Sequence, residues 1–187
     1  MIFFDIIMTL IEDFILAYFD FKILNIINNK LIVFLTLFCT IITFVFNNLV
    51  LNNYWLMIIL IMIFTFISSF YDKKRSLIYF IVPAILIIIL LFSNTIAIIL
   101  VSTIFFINPI QISSNNIYII FLSLLSRIVF LILSYLFSYY DNKYRLNKRK
   151  MLEGNYWWSF CLFVLSFLGV YTLLFEMIFY HMVNSIN

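Results

Sequence analysis

Six apolar runs follow one another along this chain of 187 residues, most of them long enough to cross a bilayer. A helical crossing takes about 20 apolar residues. In hydrocarbon every backbone N–H and C=O must find its partner within the segment, so runs of this kind are helices. The chain is 66% hydrophobic and 10% charged, where a soluble domain carries about a quarter charged residues. The expected fold is all-α: a polytopic transmembrane helix bundle, one domain over residues 1–187. Its helices are expected at roughly 2–24, 31–51, 54–71, 76–107, 116–139 and 156–180, which makes about six crossings. The fourth run is too long for one untilted crossing. Ser93, Asn94 and Thr95 offer a polar break within it, and a split there gives seven crossings. One long or kinked helix, with Pro83 near its start, is the preferred reading, and a partly re-entrant end is the runner-up.

Two glycines and two prolines leave little soluble turn chemistry, and asparagine does most of the punctuation. Asn25, Asn28 and Asn29 separate the first two runs. Asn47, Asn48, Asn52 and Asn53 mark the next turn. The excess of Ile, Phe, Asn and Tyr points to an AT-rich genome, which fits a low-GC bacterium or a mitochondrion equally well. Met1 leads straight into apolar sequence with acids and no basic n-region, so the first run is expected to remain as a helix.

The net charge of +3 is not a nucleic-acid signal, because the basic residues sit in short clusters beside apolar runs. With the N-terminus outside, the loops after runs one, three and five are cytoplasmic. Those loops and their flanks hold Lys22, Lys30, Lys73, Lys74, Arg75, Lys143, Arg145, Lys148, Arg149 and Lys150. The opposite orientation places all of them outside, against the positive-inside rule. Tyr54, Trp55, Tyr139, Tyr140, Tyr156, Trp157 and Trp158 lie near the expected interfaces, as an aromatic belt does. The stretch Lys143 to Lys150 reads as a solvated basic loop, with the charge to touch anionic headgroups.

The fifth run, NIYIIFLSLLSRIVFLILSYLF (116–137), holds Arg127 near its centre. A charge at that depth costs roughly 2.5–3.5 kcal/mol on insertion scales and usually faces a partner or a water-filled cavity. The first run carries Asp5, Glu12, Asp13 and Asp20. In the expected topology runs one and five point the same way, so Glu12 or Asp13 lies at the depth of Arg127. Two readings of this polar seam stay open: a switch or binding seam, and a structural pair that fixes helix register. Asp5 and Asp20 lie near the run's ends and are expected at the interface.

Other chemistry is weighed mainly by absence. Cys39 and Cys161 sit inside apolar runs and read as small buried hydrophobes. His181, the only histidine, lies past the sixth run with Glu176 about one turn before it, and reads as an ordinary interfacial residue. There is no HExxH, P-loop or G-x-S-x-G motif. No catalytic residue, metal site or cofactor is expected.

The order of features resembles the membrane sensor region of bacterial peptide-pheromone (quorum-sensing) receptor histidine kinases of the GHKL type. The resemblance lies in MIFFDIIMTLIEDFILAYFDFKILN, in FYDKKRSLIYFIVPAILIIILLFSN, in LSLLSRIVFLILSYLF with Ser126 and Arg127 at mid-helix, and in a basic loop leading to NYWWSFCLFVLSF. It covers most of the chain. It implies a multi-helix receptor in a bacterial cell membrane that detects a secreted peptide and signals to a cytoplasmic kinase. No phosphoacceptor helix or nucleotide-binding motif follows, so kinase activity is not carried over. The expected function is therefore a non-catalytic sensor module partnered by the lipid bilayer, a peptide ligand, and a histidine kinase or a second copy. Outer-loop contacts would fall on Asn52, Asn53, Asn108 and Gln111. The alternative is a structural subunit of a membrane complex, such as a mitochondrion-encoded respiratory-chain or ATP synthase component in the inner membrane, bound to neighbouring subunits. A small transporter is the third reading, disfavoured by the lack of repeats and of broken, glycine-bearing helices.

Overall fold

The computed structural model describes residues 2–26, 28–48, 53–71, 76–105, 107 and 116–151. Among them there are five helices and no strands: α1 (Ile2–Leu24), α2 (Asn29–Asn48), α3 (Asn53–Tyr71), α4 (Ser76–Phe105) and α5 (Asn116–Met151). The described part of the protein is all-helical. The expected sixth run, 156–180, lies outside the described residues, as do Cys161, Glu176 and His181.

Local chemistry explains the first turn. Asn25 has φ 58°, a left-handed conformation usually left to glycine and, after it, asparagine. The Ile26 amide then donates to the Phe21 carbonyl at 2.9 Å, closing the Schellman-type stop that caps orphan carbonyls. Three residues on, Asn28 caps α2: its Oδ1 accepts from the Leu31 amide at 3.1 Å. Asparagine thus both ends α1 and starts α2.

Three of these helices contain a stretch long and apolar enough to cross a membrane: Asn29–Asn47 in α2, Ile78–Phe105 in α4 and Asn116–Asp141 in α5. This is fewer than the six crossings expected. The apolar stretch of α3, Trp55–Phe70, is short against a hydrocarbon core roughly 30 Å thick. Its neighbour α1 has the length, with 23 residues, but carries acids on several faces. In α4 the helix runs unbroken through Pro83 and through Ser93–Thr95, so the polar triplet does not split it. The hydroxyls of Ser93 and Thr95 turn back to the carbonyls of Ile89 and Leu91, at 2.7 and 3.1 Å. A Ser or Thr can satisfy itself this way inside an apolar helix without breaking it.

Helix α5 also departs from expectation. It continues past residue 139 to Met151, through the basic stretch read as a loop. Lysine and arginine are good helix formers, and no glycine or proline interrupts residues 116–151.

Packing is centred on α1 and α4. Helix α1 touches all four other helices, and α4 packs against α5, α3 and α1. The core holds Leu16, Ala17 and Phe21 of α1, Leu35 and Cys39 of α2, Ile61 and Phe64 of α3, Ala84, Leu86 and Ile87 of α4, and Phe130 of α5. Ring contacts join Phe105 at the end of α4 to Tyr118 and Phe121 near the start of α5, so these two helices are antiparallel. By contrast α1 and α5 point the same way. Glu12 meets Arg127, and ten residues further along α1 the Lys22 ammonium lies 5.6 Å from the centre of the Tyr135 ring.

Candidate functional site

Arg127 and Glu12 form the centre of the site. Arg127 Nη2 lies 2.7 Å from Glu12 Oε2, with the two side chains 20% and 21% exposed. The pair joins α5 to α1 near the middle of both apolar stretches. Arg127 Nη1 also donates to the Ser123 carbonyl one turn back, at 3.3 Å. Its Nε is buried with no hydrogen-bond partner among the described residues. The guanidinium is therefore held between its own helix and α1. Each charge removes the cost of burying the other, which is the condition under which ions persist at this depth.

Asp13, the neighbouring candidate, does not share in the pair. Successive helical residues point about 100° apart, so when Glu12 faces α5 its neighbour faces elsewhere. Asp13 is 4% exposed, and its Oδ2 accepts from Thr40 Oγ1 on α2 at 3.1 Å. The same hydroxyl lies 2.9 Å from the Thr36 carbonyl, the usual partner of a threonine in an apolar helix. Between α4 and α5, the Ser126 hydroxyl meets Asn94 Oδ1. Adjacent residues of α5 thus engage two different helices: Ser126 holds α4 and Arg127 holds α1. A polar layer crosses the bundle at this level and ties α2, α1, α5 and α4 together.

Asp20 corrects the expectation that it reaches the interface: it is fully buried. Ser68 Oγ of α3 donates to its Oδ2 at 3.2 Å, while Oδ1 has no hydrogen-bond partner among the described residues. The correction has a simple cause. The last turns of α1 are covered by the helices that follow, as the burial of Phe19, Phe21 and Ile23 shows. Asp5 remains exposed.

Ser134 and Ser138 lie seven and eleven residues after Arg127, on the same stripe of α5. Both are buried, and neither hydroxyl has a partner among the described residues.

Asn52, Asn108 and Gln111 lie outside the described residues, and Asn53 is the first residue of α3. Sequence reasoning did not single out Thr40, Ser68 or Asn94 as partners. The signal available was a Ser, Thr or Asn inside each apolar run, but most such hydroxyls bond their own helix. Among the described residues no group of three or more His, Cys, Asp and Glu could hold a metal ion. Cys39 is buried and unpaired by disulfide. No protein-family model, curated protein or solved structure matches the chain.

Proposed function

We propose that this protein is a non-catalytic, receptor-like membrane module in which α1 and α5 are coupled through the Arg127–Glu12 pair. The observation that carries this reading is the pair itself, 2.7 Å across and at mid-bundle. A guanidinium and a carboxylate at that depth hold two helices in one register. Sliding or rotating either helix by even part of a turn exposes both charges to hydrocarbon. Such an element has discrete positions rather than a continuum, which is what a ligand must bias in order to signal. The polar layer is also held by non-covalent contacts of short side chains, among them Thr40, Ser126 and Asn94.

The finer reading is a bundle of about six crossings in a bacterial cell membrane, with the N-terminus outside. It is supported by the likeness to peptide-pheromone receptor sensor regions and by the charge pattern. Ten of the eleven basic residues fall at the ends or in the links toward which α1, α3 and α5 run, the arrangement the positive-inside rule describes for a cytoplasmic end. A secreted peptide would then meet the opposite end, around Asn52, Asn53, Asn108 and Gln111. A histidine kinase or a second copy would be the partner on the cytoplasmic side.

The test is purification of the tagged protein from its source membrane in mild detergent, with mass spectrometry of what accompanies it. Recovery with a histidine kinase or as a homo-oligomer is the expected result. Recovery in a large stoichiometric complex would replace the receptor reading with that of a structural subunit, and Arg127 would become an assembly residue.

A further inference from the structure

Three acids of α1 enter the bundle, and their surroundings differ in kind. Glu12 has a cation. Asp13 has the hydroxyl of Thr40 and lies beside the same guanidinium's layer. Asp20 has one neutral hydroxyl, that of Ser68, and an oxygen with no hydrogen bond among the described residues, although the side chain is fully buried. Among the described residues, the titratable groups on the surrounding elements do not supply the missing charge. On α2, Lys30 is exposed and Cys39 is a thiol deeper in the bundle. On α3, the group that meets Asp20 is Ser68. On α4, Tyr79 is buried. On α5, Arg127 is bound to Glu12 and Tyr135 lies under Lys22. Lys22, only two residues from Asp20, lies over the rings of Tyr18 and Phe19, 5.5 Å from each centre, and of Tyr135 at 5.6 Å.

An ionised carboxylate with one hydroxyl for company is far costlier to bury than a neutral acid. Something positive must therefore accompany Asp20. A metal cation asks for about six oxygens at short range, and this site offers two residues' worth. A proton asks for one lone pair.

We propose that Asp20 is a proton-binding site inside the bundle: the packed protein holds its carboxyl as the neutral acid, and release of the proton accompanies separation of α1 from α3. The step is acid dissociation, with the O–H electron pair left on the carboxylate and the proton passed to water at the lysine-bearing end of α1. The Ser68 hydroxyl serves either form, because it donates to Oδ2 whether or not Oδ1 carries hydrogen. The site goes beyond the receptor reading and stands without it, since a transporter or a structural subunit would hold the same proton.

The experiment is infrared difference spectroscopy of the full-length protein in lipid vesicles at neutral pH, with Asp20→Asn subtracted from the unaltered protein. Asparagine keeps the acceptor for Ser68 and the side-chain shape, and Asp20→Leu is the second subtraction partner if the first does not accumulate folded. The expected result is the loss, in either variant, of a protonated-carboxyl C=O band that shifts in heavy water. Loss of carboxylate stretching bands instead, with the protonated-carboxyl region unchanged, would overturn the proposal. As a second reading, a membrane-soluble carbodiimide, which adds to protonated carboxyls, is expected to label Asp20 of the unaltered protein and to leave the ion-paired Glu12 unlabelled. Labelling of Glu12 with none at Asp20 would also overturn it.

Discussion

Glu12 and Asp20 are two acids on one helix, eight residues or roughly 12 Å apart along its axis. One meets a guanidinium from α5 at mid-bundle. The other meets a serine from α3 near the helix end and keeps one oxygen without a hydrogen bond among the described residues. The difference follows from which neighbour each residue faces: α5 brings Arg127, near the middle of its apolar run, and α3 brings a hydroxyl at the level of Asp20. An ion pair locks two helices because each charge is intolerable without the other. A neutral acid and a serine hold theirs by an ordinary hydrogen bond. The middle of the bundle should therefore be stiff to mutation and the Asp20 end forgiving.

The largest effect is expected from Arg127→Leu. It leaves the Glu12 carboxyl without its cation, and breaking a buried pair from one side costs about 3–5 kcal/mol. Thermal unfolding can be followed with a thiol-reactive dye, using buried Cys39 as the reporter in a Cys161→Ser background. A loss below about 1 kcal/mol would place the pair among surface ion pairs and remove the contrast. Thr40→Val comes next. It takes the hydrogen bond from the Asp13 carboxyl, and leaving such a buried acceptor unmet costs about 1–3 kcal/mol. Wild-type stability in the same unfolding assay would show that Asp13 finds another donor. Ser68→Ala should cost about 1 kcal/mol, the worth of a typical hydrogen bond. If it costs as much as Arg127→Leu, Asp20 is ionised and Ser68 is its essential donor. Asp20→Asn should change stability least, by under about 1 kcal/mol, because an amide keeps the Ser68 contact where a neutral acid stood. A large stabilisation by this change would mean that a buried charge had been removed.

Part of this arrangement was legible in the sequence. Arg127 declares itself, since any arginine amid apolar residues needs a partner, and among the described helices α1 carries acids at the matching depth. The choice of Glu12 over Asp13 was not legible. Adjacent residues point about 100° apart, and only packing decides whether α5 or α2 lies in a given direction. Asp20 was misplaced because distance from a helix end stands in for exposure only when that end is uncovered. Here α3 reaches it, with Ser68 donating to Asp20 Oδ2. Thr40 and Ser68 gave no usable signal, since a hydroxyl in an apolar helix bonds its own backbone by default. The extension of α5 through its basic stretch shows the opposite error. Charge density reads as a loop, yet Lys and Arg favour helix when nothing breaks it.

The measurement closest to the centre of this account is a double-mutant cycle on Glu12 and Arg127 in the purified full-length protein. Glu12→Gln, Arg127→Met and the double variant are compared by thermal unfolding in the same detergent. If the pair joins α1 to α5, each single change costs more than the double change relative to the other, with a coupling of at least about 1 kcal/mol. Additive effects, within about 0.5 kcal/mol, would contradict it and leave the two helices joined by apolar packing alone.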